Sequence, residues 1–292
     1  MNTMDYLTPE EAIKYRRIAI AKKVGLYTFL TIFGLFILVP FYWMIATSFK
    51  SSNEIISSIQ ATFFPLEPSL EGYRYVLGEG ADLLRYMGNT VVVAIISTAL
   101  TLVTTILSAF AFARLEFKGK NLLFSILLST MMIPGEMLVI TNFLTVSKLG
   151  WLDTWQVLII PHCVSIFYIY FLRQTFMGIP NELYYAAKID GKSDFEYLWR
   201  IMIPIAKPTL FTITILSLIG SWNAYIWPRT VIVASDGPQM ITPGLMKLLS
   251  GEYIYDNMRM AGAVITSLPL LILFICFKKY IMRGVSRSGI KG

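Results

Sequence analysis

Ionisable side chains, histidine and cysteine are all scarce in this sequence. Of its 292 residues only 15% are Asp, Glu, Lys or Arg, whereas 55% are hydrophobic. A soluble domain of this length needs a larger polar surface than these residues can supply. The composition therefore excludes an ordinary soluble enzyme and indicates a protein embedded in lipid.

The shortage of reactive residues also excludes several kinds of site. The single histidine, His162, cannot form a zinc site with Cys163 and Cys276, because the two cysteines fall in different apolar runs. No Gly-x-Ser-x-Gly turn marks a nucleophile. We therefore predict neither catalytic nor metal-binding residues, and we interpret both cysteines as packing residues without a disulfide. His162 is interpreted as hydrogen-bonded inside a helical bundle, with a proton relay as the alternative.

Long apolar runs are what the sequence does contain. There are six of them, at roughly 24–46, 89–113, 121–140, 156–177, 208–228 and 260–280. Because each run is continuous and does not alternate with polar residues, each predicts a helix that crosses the bilayer once. We predict an all-α polytopic membrane protein with six transmembrane helices over residues 24–292. Residues 1–23 read as a basic amphipathic helix at the membrane surface, with Thr8 and Glu11 forming a capping box.

The distribution of basic residues predicts the orientation. With six spans, 18 of the 25 Lys and Arg residues fall on the side that holds both termini. Positive residues stay in the cytoplasm, so both termini are predicted to be cytoplasmic. The net charge of +7 then needs no nucleic-acid partner.

The apolar runs hold almost no charge, which bears on how transport would be driven. Glu136, near the outer end of the third run, is the nearest ionisable residue. A carrier driven by an ion gradient usually keeps ionisable groups within its spans. It often also has matched halves with spans broken at Gly or Pro, which we do not find here. We therefore expect the energy source to lie outside this chain.

The densest polar segment is residues 179–208, "IPNELYYAAKIDGKSDFEYLWRIMIPIAKP". Its pattern predicts a helix that ends at Asp190-Gly191, followed by a second helix capped by Ser193. Pro204 and Pro208 are predicted to end that second helix before the fifth span. We interpret the segment as a rigid docking surface for a soluble partner, with an ordinary cytoplasmic loop as the alternative.

The letters "GKS" at 191–193 resemble the end of a phosphate-binding loop. That loop requires a first glycine where Ala186 stands, and it follows a strand, whereas "ELYYAAK" favours a helix. We predict that this chain does not bind ATP.

The polar segment resembles the cytoplasmic signature of binding-protein-dependent ABC permeases, Glu-Ala-Ala-x-x-x-Gly followed by Ile-x-x-Pro. The matching residues are Ala186, Ala187, Asp190, Gly191, Ile201 and Pro204. Tyr185 stands where the family usually has Glu, and Lys192 where it often has Ala. The chain further resembles the second permease subunit of the maltose-type carbohydrate uptake family, in "TSFK", "AFAFARLEFKGK", "MMIPGE", "FLRQTF", "GSWNAYIWP", "TPGL", "LPLLILF" and "IKG".

The resemblance implies a type I ABC importer fold in the cytoplasmic membrane of a bacterium. It implies as partners a second, different permease subunit, two copies of a cytoplasmic ATPase and an external solute-binding protein. ATP and Mg²⁺ would be bound by the ATPase subunits, and this chain would carry no cofactor. Segment 179–208 would couple the ATPase to the spans, and the cargo would be a sugar, an acidic oligosaccharide or glycerol 3-phosphate.

Four residues near the outer half of the fifth run are candidates for the substrate pathway. Sugar sites favour aromatic rings and neutral hydrogen-bonding groups. The candidates are Trp222, Asn223, Tyr225 and Trp227. The alternative is that these aromatic residues anchor the chain at the membrane interface.

Overall fold

The computed structural model describes residues 9–57, 62–79, 81–251 and 254–286, and the regular secondary structure in those ranges is helical. They contain no β-strand, only an isolated bridge between Lys50 and Pro68. The helices are α1 (Pro9–Ser48), α2 (Ser52–Ser57), α3 (Glu71–Arg74), α4 (Leu83–Arg114), α5 (Lys120–Thr130), α6 (Val139–Lys148), α7 (Trp155–Ile159), α8 (Ile166–Met177), α9 (Asn181–Ile189), α10 (Asp194–Tyr197), α11 (Ile203–Ile205), α12 (Lys207–Trp222), α13 (Ile226–Val231), α14 (Ile241–Leu249) and α15 (Asp256–Ser286). Single 3₁₀ or π turns adjoin them at Tyr75–Glu79, Gly135–Leu138, Ile160–His162 and Leu198–Met202. The predicted all-α fold class is confirmed.

Within the described ranges, three helices are long and apolar enough to cross a membrane without a break. They are Arg17–Ser48, Leu83–Arg114 and Asp256–Lys278. The basic N-terminal stretch from Pro9 onward is continuous with the first of them, as one 40-residue helix. The predicted capping contact between Thr8 and Glu11 lies outside the described part of the structure.

The other three predicted spans are not single helices, and the prediction of unbroken runs is wrong there. Each is long enough to cross a membrane only as a pair of helices joined at a bend. The pairs are Lys120–Thr130 with Gly135–Lys148 (86°), Trp155–His162 with Ile166–Met177 (41°), and Asp194–Ile205 with Lys207–Trp222 (79°). Pro134 and Pro161 account for the first two breaks, since proline cannot donate to the carbonyl four residues earlier. The run predicted to reach residue 228 ends at Trp222, and Pro228 lies in the separate helix α13.

Neighbouring side chains donate hydrogen bonds to the backbone carbonyl groups at the Pro161 break. Pro161 leaves the carbonyl of Val157 without its usual N–H donor, and the indole Nε1 of Trp227 donates to that oxygen at 2.9 Å. Thr101 and Thr104 of α4 donate their hydroxyls to two further backbone carbonyls of the break, at 3.1 and 2.6 Å. An irregular backbone is therefore tolerated at membrane depth, because its polar groups are paired inside the protein.

The chain divides into two compact units. One consists of Met1–Tyr73 and Tyr255–Val264, and the other of Arg74–Ile254 and Ile265–Gly292. In the first unit the amide Nδ2 of Asn257, at the start of α15, donates to the carbonyl of Lys50 at 3.0 Å. In the second unit α4 is central, and it packs against α8 and α12.

A buried carboxylate organises the loop that follows α2 in the first unit. Glu54 is only 4% exposed, and it accepts hydrogen bonds from the hydroxyl of Thr62 and from the N–H groups of Leu66 and Glu67, at 2.8, 3.0 and 3.0 Å. Burial by itself raises the pKa of Glu54. The hydrogen bonds outweigh that effect, so its pKa lies below the ordinary value.

We expect Glu54→Gln to loosen this loop. A neutral glutamine can turn its oxygen to the N–H groups of Leu66 and Glu67 and donate its NH2 to the hydroxyl of Thr62, so what is lost is the charge of the acceptor. Hydrogen exchange at the two amides should become roughly tenfold faster, because a hydrogen bond to a charged group contributes about 1.5–3 kcal/mol against about 1 kcal/mol for a neutral one. Glu67→Gln, which alters an exposed carboxylate, is the control and should change exchange little. Equal effects of the two substitutions would contradict this assignment.

The same carboxylate predicts a pH dependence. Because folding lowers the pKa of Glu54, its contribution to stability is present above the pKa of the unfolded chain and is lost as pH falls through the folded pKa. Protection of the loop amides should therefore decrease on acidification in the wild type. The decrease should be smaller in Glu54→Gln.

A close helix contact in the second unit explains the "TPGL" motif. A Cβ atom on Gly244 would lie 2.4 Å from a ring carbon of Tyr86, so α14 can approach α4 this closely only with glycine there. The N–H of Ile241 donates to the hydroxyl of Thr90 at 2.8 Å. Thr242 donates to the carbonyl of Trp222 at 2.6 Å, which links the motif to the end of α12.

Candidate functional site

The first helix of the polar segment ends as the sequence predicts. Helix α9 is capped by Asp190, and Gly191 has a φ of +74°, in the left-handed region. The N–H of Gly191 donates to the carbonyl of Lys188 at 3.0 Å, and that of Lys192 to the carbonyl of Ala187 at 2.9 Å. This pair of bonds is a Schellman motif, which turns the chain sharply out of the helix.

The second predicted cap is also confirmed. The Ser193 hydroxyl accepts from the N–H of Glu196 at 3.2 Å, and the Glu196 carboxylate accepts from the N–H of Ser193 at 3.3 Å. These reciprocal bonds form a capping box at the start of α10.

A side-chain contact that the sequence did not predict ties α9 to α10. Oδ1 of Asp194 accepts from the hydroxyl of Tyr184 at 2.9 Å and lies 2.8 Å from the ammonium of Lys188. The hydrogen bond to Asp194 raises the pKa of Lys188 above its ordinary value, so the ammonium stays charged. The turn at Gly191 is thus fixed by its backbone bonds and by a bridge across it.

The second helix ends before Pro208, as predicted, but the prediction that it ends at Pro204 is wrong. The helical course continues from α10 through a π turn and α11, which contains Ile203 and Pro204, and it bends only at Ala206. Pro208 instead lies in the first turn of α12, where a missing N–H costs nothing. Ile201 lies in the π turn, half-buried beside the hydrophobic cluster that includes Phe110.

The structure separates the two alanines of the signature. Ala187 is 3% exposed and packs inside a hydrophobic cluster, whereas Ala186 is on the exposed face of α9. The cluster, called here the Phe110 cluster, consists of Ala109, Phe110, Leu172, Phe176, Ile179, Ala187, Tyr197, Leu198, Met202, Ala206 and Ile213. Ala187 therefore holds α9 onto the spans and is not free to touch another protein.

Large apolar side chains lie on the outward face of the segment. Tyr185 is 61% exposed and Ile189 is 87% exposed, one turn apart on α9, and Phe195 packs edge-on against Trp199 on the next helix. An exposed apolar patch of this kind is typical of a protein interaction surface. The spacing of Glu182, Tyr185, Ala186 and Ile189 marks this stripe in the sequence, but only the burial of Ala187 shows which stripe faces outward.

A half-buried arginine joins this segment to α4. Arg114, the last residue of α4, donates to the carbonyl of Phe176 in the last turn of α8 at 2.9 Å and to the carbonyl of Ile179 just after that helix. Its other terminal nitrogen donates to the side chain of Asn181, the first residue of α9. One guanidinium therefore bonds the ends of two helices and the start of a third, a role that its place in "AFAFARLEFKGK" did not reveal.

Three of the four predicted pathway residues share a cavity. The cavity has a volume of ≈570 Å³, and Asn223, Tyr225 and Trp227 line it. Trp222 does not, because its side chain is buried and its Nε1 donates to the carbonyl of Thr266 at 3.1 Å. The break after Trp222 produces this division, since residues beyond a broken helix no longer follow its register.

The cavity also brings together polar residues that are far apart in the sequence. Glu136 and His162 line it, and the His162 ring lies edge-on to Trp227 with 5.9 Å between ring centroids. Ser97 and Ser217 line it from α4 and α12. His162 therefore packs against Trp227 and also lines the cavity.

Comparisons with known proteins agree with this fold. Residues 102–287 match the family described as binding-protein-dependent transport system inner membrane component. The arabinooligosaccharides transport system permease protein AraQ of Halalkalibacterium halodurans is 33% identical over 87% of this chain and 91% of that protein. The trehalose/maltose transport system permease protein MalG of Thermococcus litoralis is 29% identical over 94% of this chain and 98% of that protein.

A solved structure is similar over nearly the whole chain. It is the crystal structure of a bacterial ABC transporter involved in the import of the acidic polysaccharide alginate, and one of its chains matches with a TM-score of 0.77 at 25% identity. The match covers 94% of this chain and 99% of that one. Together with the family match, the apolar helices and the segment at 179–208, this shows that the chain belongs to the binding-protein-dependent inner membrane components and is a multi-pass ABC transporter permease.

Proposed function

We propose that this chain is the second permease subunit of an ATP-driven importer for a sugar or oligosaccharide. The proposal rests on two features of one chain, the apolar-faced segment at 179–208 and a cavity lined by aromatic rings and by neutral hydrogen-bonding side chains such as Asn223 and Ser217. Family membership and the oligosaccharide-transporting relatives AraQ and MalG support the choice of cargo. The chain itself is a non-catalytic subunit.

The proposed assembly contains a second, different permease subunit, two copies of a cytoplasmic ATPase and an external solute-binding protein. ATP and Mg²⁺ are bound by the ATPase copies. In the proposed topology α1, α4 and α15 span the membrane unbroken, and the three bent pairs supply the remaining spans, with both termini in the cytoplasm. Lipid surrounds the exposed apolar side chains of α1, which include Phe29, Phe33 and Phe36.

Segment 179–208 is the proposed coupling segment. Its outward residues, Tyr185, Ala186 and Ile189, enter a cleft on the ATPase, while Ala187 and the Phe110 cluster hold α9 to the spans. Closure of the ATPase then moves α9 and the spans together as a rigid body, which is one way of producing alternating access.

An acidic oligosaccharide is the second candidate cargo. The similarity to a chain of the alginate-importing transporter favours it. Glycerol 3-phosphate as the cargo is a weaker alternative, and so is an ion gradient as the energy source. No described residue specifically supports either of them.

Reconstitution of the complete complex tests the proposal. Vesicles that contain both permease subunits and the ATPase should take up oligosaccharide only with the binding protein outside and hydrolysable ATP inside. Native mass spectrometry should give one copy of this chain beside one different permease and two ATPase copies. Uptake by this chain alone, driven by an ion gradient or by a homodimer, would overturn the proposal.

A substitution in the "GKS" letters checks that the chain takes no part in nucleotide binding. Lys192→Ala should leave the ATP affinity of the complex unchanged, since this lysine follows a helix and not a strand. A tenfold loss of affinity would restore the phosphate-loop interpretation.

A further inference from the structure

A second cavity lies where three of the proposed spans reach the cytoplasmic side. It has a volume of ≈410 Å³ and lies between the end of α4, the start of α5 and the end of α8. It shares no lining residue with the cavity around Asn223. It is called here the Arg173 cavity, and the residues that bear on its chemistry are Phe112, Glu116, Lys120, Asn121, Leu122 and Arg173.

The guanidinium of Arg173 is fixed at one edge and along one face. Its Nε donates to the carbonyl of Phe112 at 3.0 Å, and its central carbon lies 4.1 Å from the ring centre of Phe124. Within the described residues, its two terminal amino groups form no hydrogen bond and no ion pair. A planar fork of donors held in this way matches two oxygens of one phosphate group.

Lys120 adds a second positive charge to the lining. Only 14% of its side chain is exposed, and its ammonium lies 3.4 Å from the carboxylate of Glu116. The side chain of Glu116 is 90% exposed, so water screens this ion pair. Two positive side chains and one negative side chain leave the lining with a net charge of +1. The cavity therefore favours an anion.

An exposed apolar stripe leads from the cavity along α5. Leu122, which lines the cavity, is 68% exposed, and Ile126, which follows it by one helical turn on the same face, is 53% exposed. Phe124 lies on another face of α5 and is buried, so the stripe is the outward face of this helix. A ligand with a phosphate at one end and a hydrocarbon chain at the other matches both the cavity and the stripe.

We propose that the Arg173 cavity binds the headgroup of an anionic phospholipid of the cytoplasmic leaflet. Arg173 and Lys120 donate to the phosphate oxygens, and an acyl chain lies along Leu122 and Ile126. Basic pockets between spans on the cytoplasmic side bind anionic headgroups in other membrane proteins. A zwitterionic lipid binds less well, because its own cation is repelled by the two positive side chains. The proposed topology enters only in the choice of leaflet.

Thiol labelling of the complete complex in lipid nanodiscs tests the site. Asn121→Cys is introduced with Cys163→Ala and Cys276→Ala, and its rate of modification by the uncharged reagent methyl methanethiosulfonate is measured. Nanodiscs that contain phosphatidylglycerol should slow the reaction at least threefold relative to nanodiscs of phosphatidylcholine alone. Lys118→Cys, at an exposed residue that does not line the cavity, is the control, and its rate should not depend on the lipid.

Substitution of each cation tests the contacts. Lys120→Gln and Arg173→Gln should each remove most of the protection of Asn121→Cys, whereas Lys118→Gln should keep it. Lys120→Gln leaves the contacts of Arg173 with Phe112 and Phe124 in place, so it remains informative if Arg173→Gln does not fold. Native mass spectrometry should show one phosphatidylglycerol fewer on the Lys120→Gln complex than on the wild-type complex.

Several outcomes would overturn the lipid site. They are an unchanged rate at Asn121→Cys with phosphatidylglycerol, equal slowing at Lys118→Cys, and full protection in both cation variants, which would indicate a covering protein. In detergent, free glycerophosphoglycerol should protect at least tenfold less well than short-chain phosphatidylglycerol, and equal protection would assign the cavity to a soluble phosphate compound. No measurement here depends on uptake, so failure of the importer function would leave this test intact.

Discussion

Gly191→Val is expected to abolish coupling between ATP hydrolysis and transport while leaving the protein in the membrane. Gly191 has a φ of +74°, and a valine there cannot adopt this conformation without strain of roughly 1–2 kcal/mol. A Cβ atom would meet nothing within 4 Å, so the effect comes from the backbone alone. That cost is too small to unfold the spans, but it breaks the two Schellman bonds that direct the chain out of α9.

Loss of this turn should be visible in three measurements. Substrate-stimulated ATPase activity and uptake in vesicles should fall at least tenfold, and the ATPase subunits should co-purify less well. Gly191→Asn should keep most of the activity, because asparagine tolerates the left-handed conformation.

A second glycine provides a matched control. Gly119 has a φ of +81° in another loop and also has open space around it. Gly119→Val carries the same backbone strain outside the coupling segment and should be mild. Full coupling in Gly191→Val, or an equal loss of coupling in Gly119→Val, would show that segment 179–208 does not couple the ATPase to the spans.

Arg114→Met should uncouple the transporter as severely, by a different route. The substitution keeps an unbranched apolar stem but removes the guanidinium that bonds Phe176, Ile179 and Asn181. Hydrogen bonds from a charged donor contribute about 1.5–3 kcal/mol each, so the start of α9 should lose its fixed position on α4. We expect at least a tenfold loss of substrate-stimulated ATPase activity and faster hydrogen exchange at residues 179–182.

Companion variants distinguish this positioning role from a general loss of stability. Asn181→Ala removes only the bond to α9 and should give a partial loss of coupling with normal protein levels. Arg114→Lys should rescue little, since one ammonium cannot reproduce the fork of donors that reaches three acceptors. Lys118→Ala, at an exposed site in the following loop, should be nearly neutral. Unchanged exchange at 179–182 in Arg114→Met would contradict the assignment.

Local patterns in the sequence determined the features that depend on neighbouring residues. The continuous apolar runs determined that the chain is helical and crosses a membrane, because backbone groups in lipid must be paired within a helix. Asp190-Gly191 determined where α9 ends, and Ser193 with Glu196 determined where α10 begins, because both motifs are complete within a few residues. The same reasoning was wrong at Pro204, which lies inside the helical course that ends at Ile205.

Only the tertiary structure decided which residues meet across the chain. Trp227 donates to the carbonyl freed by Pro161, whereas Trp222, five residues earlier, faces Thr266, because the helix breaks between them. Ala187 faces the core and Ala186 faces outward, a choice made by the packing around Phe110. Arg114 bonds the end of α8, which is distant in sequence, and Glu136 shares a cavity with residues of α4 and α12. Contacts of this kind depend on how helices pack, and no spacing along the chain encodes them.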